Sequence, residues 1–343
     1  MNLADRVARC RKVLTVCERS SGRAVTLSGA ATCAAQVASC PVRFVLTDDL
    51  TRLCAELAYS RGARDLACAD LLHVPAESLW IEWCQAPWQS ALEEYGFPSG
   101  GDASRCGGRR GVLIRSGPDG RRGTVRTFWT LGEKEVLASS MEGYFDFDTA
   151  EGEEPEPPRG ERAGSARGVR VHDGTHKHED VLARCFRFRY ERTWADYYAA
   201  AALSPAESQA VLRHVLGTVA IDVPLLLAFL LLLASRTSLP RQVRSFERLN
   251  RARHKGGRAP LLDCIEVRAP LLPEYGHGWR ANPHGARRFP RLHHVRGHLV
   301  RRGSQLFWRI PHLRGSARAG AVRNRTVIWT FDEAHAQRER LSS

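Results

Sequence analysis

Three histidines and one arginine near the end of the chain have the types and spacing for acid–base chemistry on a phosphate. His294, Arg296 and His298 occupy alternate positions, so one extended strand would place them on one face, and His312 follows the predicted strand at 305–310. One imidazole can take the 2′-hydroxyl proton of RNA and another can protonate the leaving oxygen, while the guanidinium stabilises the phosphorane. These four are the predicted catalytic residues of a metal-independent, toxin-like endoribonuclease.

Binding without cleavage is the leading interpretation of the same region. Arginines would neutralise phosphates, and Trp308 or His294 would stack on a base. A glycine turn at Gly256 and Gly257 could bring backbone N–H groups close to an anion, although a solvated helix end is the alternative. RNA is preferred over DNA because the region predicts a sheet-like face with aromatic residues instead of a recognisable major-groove helix. The predicted nucleic-acid contacts are Arg251, Arg253, Lys255, Arg258, Arg302, Trp308 and Arg314.

Metal binding and protein binding are the remaining alternatives. His294, His298 and His312 have the chemistry of a zinc site, but the surrounding guanidinium groups disfavour a dication. Residues 171–180 hold three histidines and three acids, yet their Asp-Gly pair is an ordinary turn signal. The sequence therefore predicts neither a metal site nor a cofactor. The basic face could also dock an acidic host protein, which would make the chain an inhibitor of that protein.

The positive charge is concentrated in one part of the chain. The 343 residues carry a net charge of +14, and residues 236–326 alone hold twenty arginines and one lysine against four acids. That segment is therefore +17 and the remainder is −3. Codon bias would spread arginine evenly along the chain. The asymmetry favours a polyanionic partner.

The elements that must position these residues indicate an α+β fold. It would comprise a mixed N-terminal region, a leucine-rich core helix and a basic C-terminal module rich in antiparallel strands. Residues 223–235 form the longest uncharged apolar run, which is too short for a bilayer and predicts a buried helix without a membrane partner. The predicted regions are 1–146, a linker at 147–170, a helical core at 171–235, the basic module at 236–331 and a tail at 332–343.

Local patterns predict several elements within these regions. Val42–Leu46 is a short strand, and a helix beginning near Asp48 has one apolar face. A hairpin joins residues 111–115 to 124–130 through a Gly-Pro-Asp-Gly turn. Residues 79–83 are a core strand with Glu82 at the surface. Ten scattered cysteines without a Cys-x-x-Cys pair, and no secretory signal, predict reduced thiols in a cytoplasmic protein.

Several motifs, in order, resemble a family of uncharacterised phage and prophage proteins. They are Leu-Trp-Ile-Glu-Trp at 79–83, Leu-Asn-Arg-Ala-Arg-x-Lys-x-Gly-Arg-x-Pro-Leu at 249–261, Arg-Leu-His-x-Val-Arg-Gly-His-x-Val-Arg-Arg at 291–302 and Phe-Trp-Arg-Ile-Pro-His-Leu-Arg-Gly at 307–315. The resemblance spans most of the chain, and Arg251 stands where the family pattern has lysine. It implies a phage setting, and hence a small nucleic-acid-directed function.

Overall fold

The structure is a computed structural model with an α+β fold. The chain divides into one compact unit of Met1–Leu271 with Leu299–Trp308 and a second unit of Leu272–His298 with Arg309–Ser343. The residues that the structure describes are 2–10, 14–16, 24–26, 30–59, 71–94, 108–131, 135–149, 185–190, 219, 221–235, 239–270, 291–295, 298–303, 305–309, 312–314 and 316–321.

Within these residues, the first unit contains both helices and strands, and β5 to β8 follow one another without a described helix between them. Helices α1 to α6 are Leu3–Arg9, Ala30–Ser39, Asp48–Tyr59, Gln85–Glu94, Val223–Ala234 and Glu247–Lys255. Strands β1 to β10 are Leu14–Val16, Ala24–Thr26, Val42–Leu46, Ser78–Cys84, Arg109–Ser116, Arg122–Leu131, Glu135–Asp146, Phe186–Tyr190, Arg241–Arg244 and Cys264–Val267. Strands β11 to β15 are Arg291–Val295, His298–Arg302, Gln305–Arg309, His312–Arg314 and Ser316–Ala321.

The first unit is built on a mixed sheet with the strand order β2-β1-β7-β6-β5-β4-β3-β10-β9, and β8 also pairs with β7. Strand β3 lies parallel to β4 and to β10, whereas β4, β5, β6 and β7 are antiparallel neighbours. The predicted strand Val42–Leu46 and the predicted hairpin, now β5 and β6, are both confirmed. Helix α3 begins at Asp48 and connects the parallel pair β3 and β4, as a crossover of this kind requires.

The leucine-rich run forms α5, in which every residue from Val223 to Leu232 is buried. It packs against α3, and Phe229 meets Phe44 of β3 edge to face with ring centroids 5.6 Å apart. A helix that is apolar all round needs cover on every side, which this position in the core provides. No helix among the described residues is long and apolar enough to cross a membrane.

The predicted boundary at residue 236 does not coincide with a division of the structure. Strand β10 pairs with β3, with Ile265 opposite Phe44, so residues 239–270 complete the sheet of the N-terminal region. Pairing of strands distant in sequence is invisible to local composition. The sheet of the second unit has the order β14-β11-β15 and is also mixed, because β11 is antiparallel to β14 and parallel to β15. The linker predicted at 147–170 lies outside the described residues from 150 onwards, as does the tail at 332–343.

Candidate nucleic-acid interface

Helix α6 carries the basic cluster that begins the charged part of the chain, and it buries none of its residues. Arg248, Arg251 and Lys255 are exposed and follow one another at spacings of three and four residues. Side chains at such spacings lie on one side of a helix. With a rise of about 1.5 Å per residue, the three cations extend along roughly 10 Å of helix. We call these three residues the cationic stripe.

The opposite side of α6 is bound to the chain that follows it. The Asn250 side chain accepts a hydrogen bond from the Leu261 N–H at 2.7 Å and donates one to the Leu261 carbonyl at 2.8 Å. Arg253 donates from Nε to the Ala259 carbonyl at 2.8 Å and is half-buried. Arg253 was predicted to contact nucleic acid, but the structure gives its Nε a backbone partner within the protein.

The Gly-Gly turn closes α6 instead of offering its amides to an anion. Gly257 has φ = +65°, and its N–H donates to the His254 carbonyl, while the Arg258 N–H donates to the Arg253 carbonyl. Together these bonds form a Schellman motif, in which the left-handed residue reverses the chain so that its amides reach the last helical carbonyls. The prediction that these N–H groups approach a phosphate is therefore wrong. The Arg258 side chain is exposed at the turn.

Other arginines of the basic segment are neutralised within the fold. Arg244 of β9 donates from Nε to Glu266 of β10 at 2.6 Å, and Arg268 donates from Nη2 to the same carboxylate at 2.7 Å. Burial raises the pKa of Glu266, but the hydrogen bonds from Arg268 and Arg244 outweigh it and leave that pKa below its usual range. Two of the 21 cations in residues 236–326 therefore bind an acid that the net charge of +17 already includes, and they are less available to a ligand.

Trp308 does not lie on an exposed face. It belongs to β13, which pairs with β12 in a two-stranded sheet, and only 5% of its surface is exposed. Leu306, two residues earlier, is also buried, as expected for positions that share one face of a strand. The predicted role of Trp308 as a base-stacking platform is therefore wrong, because stacking requires an open ring face. Arg302 of β12 is exposed.

The predicted catalytic histidines do not share one strand. The run 291–302 is divided into β11 and β12, which belong to different sheets, so the predicted face of His294 and His298 is wrong. In the pair of β11 with β14, His294 lies opposite Leu313, whereas His312 lies opposite Val295.

The remaining predicted residues of this region are placed by the strand register. Arg314 of β14 lies opposite His293 of β11. Arg296, a predicted catalytic residue, lies outside the described residues. No group of three or more histidine, cysteine, aspartate or glutamate side chains in the described part of the chain is arranged to hold a metal ion.

Sequence reasoning missed a buried carboxylate in the centre of the main sheet. Glu82 of β4 was expected at the surface, but none of it is exposed. It accepts hydrogen bonds from the N–H groups of Leu3 and Ala4 at 3.1 and 3.0 Å, from the Trp80 indole at 2.9 Å and from Arg109 Nε at 2.6 Å. The first two bonds satisfy amides at the start of α1, where a negative charge is favourable.

The surroundings of Glu82 explain why β4 tolerates an acid there. Trp80 and Glu82 are two residues apart and share the face of β4 that is covered by α1. Gly111 of β5 lies opposite Glu82, and a Cβ atom at that position would come within 2.6 Å of the Trp80 ring. The glycine therefore makes room for the indole that donates to the carboxylate.

A second buried ion pair joins β5 to the start of α5. Arg110 donates from Nε to Asp222 at 2.7 Å, and both side chains are almost wholly buried. Burial raises the pKa of Asp222 to about 6, and the positive charge of Arg110 opposes that rise. The Arg110 guanidinium also lies 5.5 Å from the ring centroid of Trp129, in the geometry of a cation–π contact.

Comparison with known proteins yields no match: no family model, no curated protein and no solved structure is significantly similar to this chain.

Proposed function

We propose that this protein binds the phosphate backbone of nucleic acid through the cationic stripe, with Arg258 at its end and RNA as the preferred ligand. The observation that supports the proposal is the placement of three exposed cations on one side of α6, while the other side is bound to residues 259–261. Arg251 lies 3.9 Å from Glu247, but both side chains are more than 70% exposed, and such pairs contribute little. No carboxylate among the described residues pairs with Arg248 or Lys255.

The stripe suits a sequence-independent contact. Lysine and arginine side chains that neutralise phosphates release condensed counterions, and this release dominates binding at low salt. Such contacts fix the position of the nucleic acid without reading its bases. The phage setting that we expect from the sequence motifs is consistent with a ligand of this class. With Trp308 buried, base stacking no longer supports the choice of RNA, so that choice depends on a direct comparison of ligands.

Removal of the cationic stripe is expected to weaken binding strongly. In the triple variant Arg248→Gln, Arg251→Gln, Lys255→Gln, we expect the affinity for single-stranded RNA to fall at least about tenfold near 0.1 M salt. The slope of log K against log salt should decrease by roughly two to three, since each lost phosphate contact removes about 0.7 to 0.9. Fluorescence anisotropy over a salt series measures both quantities.

Single substitutions provide the matched control. Arg251→Gln and Arg115→Gln each remove one exposed positive charge, but Arg115 lies on β5, which is three positions from β10 in the order of the main sheet. We expect Arg251→Gln to weaken binding several-fold and Arg115→Gln to change it less than about twofold. Equal effects of the two substitutions would contradict the proposal. Parallel titrations with single-stranded RNA, duplex RNA and duplex DNA test the preferred ligand.

The endoribonuclease and the inhibitor of a host protein remain predictions from the sequence. The described residues add no contact that favours either one. Cleavage of RNA by the wild-type protein, and its loss in His298→Ala with binding retained, would support the enzyme. A stoichiometric protein partner that resists nuclease treatment would support the inhibitor.

A further inference from the structure

We propose that α1 positions the cationic stripe, acting as a bracket between the centre of the sheet and the segment that holds α6. We call residues 2–10 the N-terminal bracket. The role that we assign to it rests on the proposed nucleic-acid binding by α6. The proposal itself stands on a continuous series of hydrogen bonds from Glu82 through α1 and residues 259–262 to α6.

The first link fixes α1 to the sheet. Both carboxylate oxygens of Glu82 accept N–H groups of the first helical turn, those of Leu3 and Ala4. Leu3, Ala4 and Val7 are buried in the core cluster that also contains Trp80. Because Glu82 lies on a central strand and none of it is exposed, this end of α1 is held by the buried centre of the main sheet.

The second link joins α1 to the chain that follows α6. Asp5 Oδ1 accepts the Leu262 N–H at 2.7 Å, and only 2% of Asp5 is exposed. Arg9 Nη2 donates to the carbonyls of Pro260 at 2.6 Å and Ala259 at 3.2 Å. Asp5 and Arg9 are four residues apart and so lie on one side of α1. That side therefore binds residues 259–262 at both ends.

The third link is the attachment of α6 itself. The helix has nine residues and buries none of them, so it lacks the apolar packing that normally stabilises a helix of this length. Its contacts to the unit are polar: Asn250 and Arg253 bind residues 259–261, and the Phe246 N–H at its start donates to Asp263 at 2.6 Å. The orientation of the stripe therefore depends on where residues 259–263 lie.

A substitution in the bracket distinguishes two effects on the affinity for RNA, the positioning of α6 and the change in net charge. Asp5→Ala removes a negative charge, so electrostatics alone predicts tighter binding to RNA. Loss of the bracket predicts the opposite, because the Leu262 N–H loses its acceptor and the attachment of residue 262 to α1 through Asp5 is broken. Glu93→Ala is the matched control, since it removes an exposed acid of α4 at the same gain in net charge.

The experiment uses the full chain and measures two quantities. We expect amide hydrogen exchange at Leu261 and Leu262 to become at least tenfold faster in Asp5→Ala, and the affinity for single-stranded RNA to fall at least threefold below that of Glu93→Ala. If Asp5→Ala does not fold, Arg9→Gln replaces it and is compared with Arg115→Gln, which loses the same charge. The same accelerated exchange and the same deficit in affinity are then expected.

The outcomes distinguish this inference from the proposed function. Unchanged exchange at residues 261 and 262, or an Asp5→Ala affinity equal to or above that of Glu93→Ala, would overturn the bracket while the stripe variants could still lose binding. If the stripe variants bind RNA as wild type does, the proposed function fails, and the role of the bracket in binding fails with it. Faster exchange together with weaker binding supports the bracket.

Discussion

Replacement of Glu82 by leucine is expected to lower the free energy of unfolding by about 3 to 5 kcal/mol. The carboxylate is wholly buried and accepts four hydrogen bonds, two from amides of α1, one from Trp80 and one from Arg109. Leucine fills a similar volume but accepts none of them, so buried donors and a guanidinium would be left without this acceptor. Urea denaturation monitored by tryptophan fluorescence measures the loss.

Glu82→Gln is the control that keeps the shape of the side chain. Glutamine keeps one acceptor oxygen but replaces the other with an NH2 group, so it should retain some of the four bonds and destabilise the protein less than leucine does. The difference between the two variants then reports the acceptor oxygen that glutamine keeps, and the difference between wild type and Glu82→Gln reports the negative charge together with the lost acceptor oxygen. A Glu82→Leu protein as stable as wild type would show that the helix amides find other partners.

Local patterns were sufficient where neighbouring residues determine the structure. The β-branched and aromatic run Val42–Leu46 identified β3, and the glycines that flank Pro118 and Asp119 identified the hairpin of β5 and β6. The apolar run at 223–235 predicted a buried helix, and α5 is found there. These features depend on interactions within a few residues, so the local sequence is sufficient to predict them.

The candidate site could be predicted only in part, because its decisive contacts join distant residues. The positive charge of α6 is visible in the sequence. The spacing of three and four residues between Arg248, Arg251 and Lys255 could have shown that Arg251 and Arg253 lie on different sides of a helix. The partners of Glu82 in α1 and β5 are 27 to 79 residues away, and no local pattern identifies them. The sequence also suggested a solvent-facing Glu82 because strands often alternate, whereas β4 is buried on both faces.

The dependence of stability on pH is expected to change when Asp222 is replaced by asparagine. Burial raises the pKa of this carboxyl from its ordinary value of 3.8 to about 6, although Arg110 opposes the rise. Between pH 4 and 6 the folded chain therefore holds this proton more firmly than the unfolded chain does. The contribution of Asp222 to the free energy of unfolding is greatest at acidic pH and decreases as the pH rises through 6.

Asparagine cannot titrate, so the free energy of unfolding of wild type minus that of Asp222→Asn should decrease between pH 4 and pH 7. The decrease should be on the order of 1 to 3 kcal/mol, since each unit of pKa shift corresponds to about 1.4 kcal/mol. Urea denaturation at half-unit pH steps measures this decrease. The variant Glu93→Gln, which replaces an exposed acid, should show almost no such slope.

Removal of the opposing charge in Arg110→Met should raise the pKa of Asp222 further and move the slope to higher pH. A difference curve that is flat or rising with pH would mean that Asp222 stays ionised inside the fold, with Arg110 compensating fully for its burial.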